Sequence, residues 1–82
     1  MQITIKYFAS IREAIGEASE QRETTANSLA GLRDELLASG PSYACLSRGR
    51  AVRMALGQVM SDESALLVPG CEVAFFPPVT GG

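Results

Sequence analysis

Chemistry has few places to reside in this chain. Its 82 residues contain no histidine, which removes Ser-His-Asp and Cys-His nucleophile arrangements and any histidine metal site in one step. No glycine-rich loop runs into Lys-Ser/Thr to cradle a phosphate. Cys45 and Cys71 have neither CxxC nor metal-ligand spacing, so two partly buried free thiols are expected in a reducing compartment. Arg48, Arg50 and Arg53 form a small basic cluster in sequence. It would suit an acidic partner or a phosphate, but a solvated loop and strand edge is the preferred reading. What remains is the run Glu72-Val-Ala-Phe-Phe-Pro-Pro-Val-Thr-Gly-Gly82. Gly81 and Gly82 lack Cβ, so a partner's backbone can approach them closely. They carry a bare carboxylate, a poor electrophile that becomes useful only once another enzyme activates it.

The residues before the glycines read as a strand that stops. Val73 and Phe75 alternate with Ala74 and Phe76 across its two faces. Pro77 and Pro78 cannot donate ladder hydrogen bonds, and Pro78 biases Pro77 toward an extended conformation. The expected division is therefore a folded domain over 1–76 and a flexible C-terminal tail over 77–82.

At this length the chain is one domain, near the size where a single core just suffices. A hydrophobic content of 46% argues against disorder. The net charge of −2 gives no electrostatic support to nucleic-acid binding. With no membrane-length apolar run and no signal-peptide pattern at the start, a cytoplasmic location is expected. So acidic and catalytically poor a chain reads as a carrier or binding module that binds no cofactor or metal itself.

Ile3, Ile5 and Tyr7 alternate with Thr4, Lys6 and Phe8 in a first strand, which puts Phe8 on the face away from the main core. Ser10-Ile-Arg-Glu13 fits a capping box opening a short helical turn, and Gly16 a left-handed close. Glu17 to Glu23 reads as an exposed second strand. Ser28 is the N-cap expected before Leu29, Leu32, Leu36 and Leu37, whose helical spacing marks the main helix. Arg33, Asp34 and Glu35 are expected on its solvent face, and Gly40-Pro41 ends it. A helical turn around Tyr43–Leu46 follows, then strands over 52–56 and 58–60 joined across Gly57. Pro69-Gly70 turns the chain into the final strand. Patterning alone gives an α+β domain.

Val73-Ala-Phe-Phe-Pro-Pro-Val-Thr-Gly-Gly82 resembles the C-terminus of the small, sulfur-carrying subunits of molybdopterin synthase. Tyr7-Phe8-Ala9 leading to Arg12-Glu13, Leu32-Arg33 and Val68-Pro69-Gly70 extend the resemblance over nearly the whole chain. It implies a β-grasp, ubiquitin-like fold: a mixed sheet of four to five strands, one main helix on one face, and the two end strands side by side. It also implies that an activating enzyme related to ubiquitin-activating enzymes uses ATP to adenylate Gly82. Sulfur then displaces AMP to leave a thiocarboxylate, with Gly81 needed for threading. The tail, through Pro77, Pro78, Val79 and Thr80, would enter the large subunit and donate sulfur to cyclic pyranopterin monophosphate, in an assembly of two small and two large subunits. Phe8, Arg12, Met60 and Phe76 match partner contacts in that family. The catalytic groups would lie on the large subunit, making this chain a sulfur-donor subunit. Family members commonly carry an acidic residue where Cys71 stands, a departure that leaves the terminal chemistry untouched. The rival readings are a sulfur carrier for the thiazole of thiamine, a ubiquitin-like modifier joined to lysines, and a plain interaction domain.

Overall fold

The structure, a computed structural model, describes residues 1–78. The elements in chain order are β1 (Gln2–Tyr7), α1 (Ala9–Ile15), β2 (Ser19–Glu23), α2 (Leu29–Ser39), a 3-10 turn (Pro41–Leu46), β3 (Arg53–Leu56), β4 (Val59–Ser61) and β5 (Glu72–Phe76). The five strands form one mixed sheet in the order β2-β1-β5-β3-β4. β1 and β5, the first and last strands, lie parallel at its centre, and the other pairings are antiparallel. The β-grasp arrangement expected from the resemblance is the one found.

Strand alternation decides which side chains meet α2. Ile3, Ile5 and Tyr7 of β1 and Val73 and Phe75 of β5 are buried on the inner face with Met54 of β3. They join Leu29, Leu32 and Leu36 of α2, together with Ile11, Leu46 and Leu67, in a single hydrophobic cluster. Leu37 packs at its margin. The start of α2 is capped as expected: the Ser28 hydroxyl accepts from the Gly31 amide at 3.2 Å. Among the described residues no helix is long and apolar enough to cross a membrane.

Several local expectations fail for physical reasons. No capping box forms at Ser10 and Glu13. α1 starts earlier, with extended Phe8 at the N-cap position and no side-chain cap. Ala9 enters the helix at φ 53, so the tight passage out of β1 places a non-glycine residue in the left-handed region. Gly16 closes α1 in that same region at φ 88, as expected. The β3–β4 hairpin turns through both Gly57 and Gln58, each at positive φ, as a primed two-residue loop requires.

Arg33 is the main correction. It is 5% exposed rather than on the solvent face. Its guanidinium donates to the carbonyls of Leu46 at 2.5 Å and Ser47 at 2.9 Å and pairs with Glu63 at 3.3 Å. Helical spacing alone puts Arg33 beside Leu29 and Leu37, and the carbonyls that claim it belong to the turn after the helix.

A second polar network ties the other end of the sheet to α2. The Tyr7 and Tyr43 hydroxyls both donate to one Glu20 oxygen, at 2.6 and 2.8 Å. Arg22 bridges Glu20 and Glu35, and the Thr24 hydroxyl donates to Glu35 at 2.6 Å. Every buried side-chain polar atom among the described residues has a partner.

Candidate functional site: the open sheet face and the root of the tail

The face of the sheet opposite α2 carries the side chains that alternation turns away from the core. Strand register arranges them in two rows. Lys6 lies beside Ala74, Ala74 beside Ala55, and Ala55 beside Met60. The second row begins at Phe8, which follows Tyr7, the register partner of Phe75. Phe76 comes next, and Arg53 lies opposite Phe76 on β3. The Phe8 amide donates to the Phe75 carbonyl at 3.1 Å, extending the β1–β5 ladder past the end of β1. The Phe8 and Phe76 rings then meet edge to face, centroids 6.4 Å apart and planes at 83°. Phe8 is 46% and Met60 55% exposed, while Phe76 is half-buried. The alanines between them leave the face shallow, so the rings and the thioether stand at opposite ends of one apolar strip. Such a strip is what a partner's surface would cover.

Three of the sequence-predicted contact residues, Phe8, Met60 and Phe76, therefore share one face. Arg12 is tied to Phe8 only through the main chain, its amide donating to the Phe8 carbonyl at 3.3 Å; among the described residues its side chain makes no hydrogen bond or ion pair with them, and the residue is exposed on α1. Arg53 and the two alanines belong to the strip as well. Sequence reasoning passed over them because only strand register reveals them. The Arg48, Arg50 and Arg53 grouping disperses. Arg48 pairs with Asp34 and Glu63, Arg50 borders the root of the tail, and Arg53 stands in β3.

β5 ends at Phe76, and half-buried Pro77 and Pro78 lie past it. With Ser10, Ile11 and Ala14 of α1 and Cys45, Arg50 and Val52 they line a groove of about 410 Å³. A larger open groove of about 510 Å³ runs along β4 and the 61–64 turn, where Arg33 and Glu63 already satisfy each other. Val79, Thr80, Gly81 and Gly82, named above for tail insertion and activation, lie outside the described residues.

The described residues offer few groups able to react. Cys45 and Cys71 are half-buried free thiols. Burial pushes the Cys45 thiol up, against weaker opposing help from backbone hydrogen bonding and Arg50, so it is held as a thiol rather than the nucleophilic thiolate. No group of three or more acidic or cysteine side chains among the described residues could hold a metal ion.

Comparison with known proteins gives this arrangement a lineage. A family model described as the ThiS family matches residues 5–82. The chain belongs to the ThiS family. A relative from Haemophilus influenzae named molybdopterin synthase sulfur carrier subunit is 33% identical over 81 residues, covering 98% of this chain and 99% of its own. Among solved structures, SAMP1 from Haloferax volcanii superposes with a TM-score of 0.82 at 19% identity, covering all of both chains. That likeness establishes the fold. A complex of subunits 1 and 2 of molybdopterin-converting factor from Helicobacter pylori contains a chain that matches at a TM-score of 0.71. It is 25% identical, again over the whole of both chains. The ThiS-family match runs to Gly82, so the terminal diglycine falls within the shared region.

Proposed function

We propose that this ThiS-family chain is the sulfur carrier of molybdopterin formation. The observation that carries the reading is the end-to-end match to a molybdopterin synthase sulfur carrier subunit, in a chain whose apolar strip adjoins the root of a Phe-Phe-Pro-Pro-Val-Thr-Gly-Gly terminus. An activating enzyme attacks ATP with the Gly82 carboxylate, forming an acyl adenylate and releasing pyrophosphate. A sulfide displaces AMP to give the thiocarboxylate directly. Where the donor is a persulfide, its outer sulfur displaces AMP to give an acyl disulfide, and a second thiol then cleaves the S–S bond to release the thiocarboxylate and leave the donor as a disulfide. The carrier docks its open sheet face on the large subunit through Phe8, Met60 and Phe76, with Arg12 at the margin. Residues 77–82 form the arm that delivers sulfur: Pro77, Pro78, Val79 and Thr80 line the way in, and Gly81 allows threading. There the thiocarboxylate gives its sulfur to cyclic pyranopterin monophosphate, and two such deliveries build the dithiolene. The chain binds no cofactor of its own in this scheme and works in the cytoplasm within a complex of two small and two large subunits.

The division of labour follows from the chemistry. A thiocarboxylate sulfur is a better nucleophile than a carboxylate oxygen, yet it stays covalently held and travels only where the arm goes. The body supplies grip through apolar surface. The test is intact mass of the protein incubated with ATP, its activating enzyme and a sulfide source. A species heavier by the difference between sulfur and oxygen, mapped to Gly82, is expected. Its absence, where the same enzyme does adenylate the chain, overturns the assignment. Failure to restore molybdopterin in cells lacking their own carrier, with rescue of thiazole formation instead, would move the protein to the thiamine branch.

A further inference from the structure

Activation of a carboxyl group creates a hazard that the sulfur chemistry does not need. An acyl adenylate reacts with any unprotonated amine within reach, and the amide that forms is not a sulfur donor. Amines are scarce in this chain. Of its seven basic residues only Lys6 is a lysine, although lysine is among the commonest residues of soluble domains. The others are arginines, whose guanidinium stays protonated and does not act as a nucleophile. The remaining amine is that of Met1.

The two amines stand at different distances from the activated end. Beyond Pro78 the four last residues span at most about 14 Å. Met1 precedes β1, which runs parallel to β5, so its amino group lies at the end of the sheet away from the tail root. It is about 20 Å along the strand from Tyr7 alone. There it donates to the Thr24 carbonyl at 2.8 Å and pairs with Glu23. Lys6 is closer. It sits beside Ala74 on the open face, about 13 Å along the strand from Pro78, and its long flexible stem shortens that gap. Lys6 is therefore the amine that the chain's own terminus can reach.

Lys6 is also held. Its ammonium pairs with Glu72 at 3.2 Å. Glu72 is the register partner of Thr4, two residues further from the tail root than Ala74. The carboxylate thus draws the ammonium back along the sheet, away from Phe76 and Pro77. We propose that the Lys6–Glu72 pair is a specificity device that keeps the one reachable amine from capturing the activated Gly82 carboxyl. The proposal rests on the sulfur-carrier reading above. The reaction it suppresses is attack of the Lys6 Nζ lone pair on the Gly82 carbonyl carbon. A C–N bond would form, the C–O bond to AMP would break with its electrons leaving on AMP, and a proton would pass to water. The product is a chain cyclised through an isopeptide bond and lighter than the free protein by one water.

The experiment uses the full chain with its activating enzyme and MgATP, without a sulfur source, followed by intact mass and tandem mass spectrometry. Wild type, E72Q, E72A, K6R and K6R/E72Q are compared at matched adenylation, read by ATP–pyrophosphate exchange. Both Glu72 variants are expected to raise the water-loss species about twofold to fivefold over wild type, the scale for releasing one partly exposed ion pair. The link should map to Lys6 and Gly82 and vanish in K6R/E72Q. Equal amounts in wild type and both Glu72 variants, with exchange intact, overturn the device and leave the carrier reading standing. A link that maps to Met1 overturns it equally. No exchange in any variant overturns the carrier reading, and the device falls with it.

Discussion

Arg33 offers a measurement in which the structure commits to a number. Replacing it with Met keeps most of the buried stem, so little cavity is created. The loss falls on hydrogen bonds. The Leu46 and Ser47 carbonyls lose their guanidinium donors at 2.5 and 2.9 Å. Glu63 loses one partner but keeps Arg48 at 2.9 Å, so its charge stays matched and adds little. A buried acceptor left without a donor costs about 1–3 kcal/mol. The Ser47 contact is only partly buried, so the sum for R33M is about 2–5 kcal/mol. For a domain this small that is much of a total stability of about 5–10 kcal/mol. It corresponds to a fall in Tm of about 10–30 °C.

Urea unfolding followed by circular dichroism gives the free energy, and hydrogen exchange gives the location. Exchange should accelerate first in the 3-10 turn and the 47–52 segment, whose main chain Arg33 holds against α2. R48A is the control, since its exposed pairs with Asp34 and Glu63 should leave the midpoint almost unmoved. A loss below about 1 kcal/mol for R33M would mean that water replaces the guanidinium freely. The account of Arg33 as the strut between α2 and the following turn would then be wrong.

Other substitutions probe the site and its pH limits. Phe76→Asp should leave the fold intact, because Phe76 points away from the core. It should weaken binding to a molybdopterin synthase large subunit by at least about 2 kcal/mol, or roughly 30-fold in Kd by calorimetry; unchanged affinity would remove Phe76 from the interface. One residue added after Gly82 should abolish thiocarboxylate formation by intact mass while the circular dichroism spectrum stays as in wild type. For Glu35, burial pushes its carboxyl up, but hydrogen bonds from Thr24 and Arg22 outweigh that and hold it below the usual range. Its stabilisation is therefore complete above about pH 4.5 and lost as the pH falls through the lowered folded value. Glu35→Gln should flatten the acid limb of a stability–pH profile. Burial, then the hydrogen bond to Glu20, drive the Tyr7 phenol above its ordinary range. The stability this brings is present below about pH 10 and lost above it, so Tyr7→Phe should blunt alkaline unfolding.

Legibility in the sequence followed the kind of information each feature needs. Parity along a single strand is local, and it placed Phe8 and Phe76 away from the core before any pairing was known. Ser28 as a cap and Gly16 as a helix end were legible because capping uses residues within one turn. Ser10 and Glu13 offered the same local pattern, but the constraint that won was not local. The Phe8 amide continues the ladder to Phe75, which sets where β1 stops and forces Ala9 through positive φ. Arg33 was misplaced for a similar reason: its neighbours along the helix are legible, but the Leu46 and Ser47 carbonyls that bury it are not.

The same distinction explains why the apolar strip exists. β1 and β5 are far apart in sequence, and either could have met another neighbour with its own alternation unchanged. Because they pair in parallel with Tyr7 against Phe75, the residue after each strand's last inward aromatic falls on the outer face at the same level. Two rings that parity merely exposes are thereby brought edge to face. A parallel pair also puts both strands' C-terminal ends on one side, so the aromatic pair stands where β5 leaves the sheet and the arm begins. Shifting that register by one residue would turn Ala74 and Phe76 inward and Val73 and Phe75 outward, costing the core the bulk of Val73. Core packing on one side of the sheet therefore fixes the apolar strip on the other, beside the end of β5.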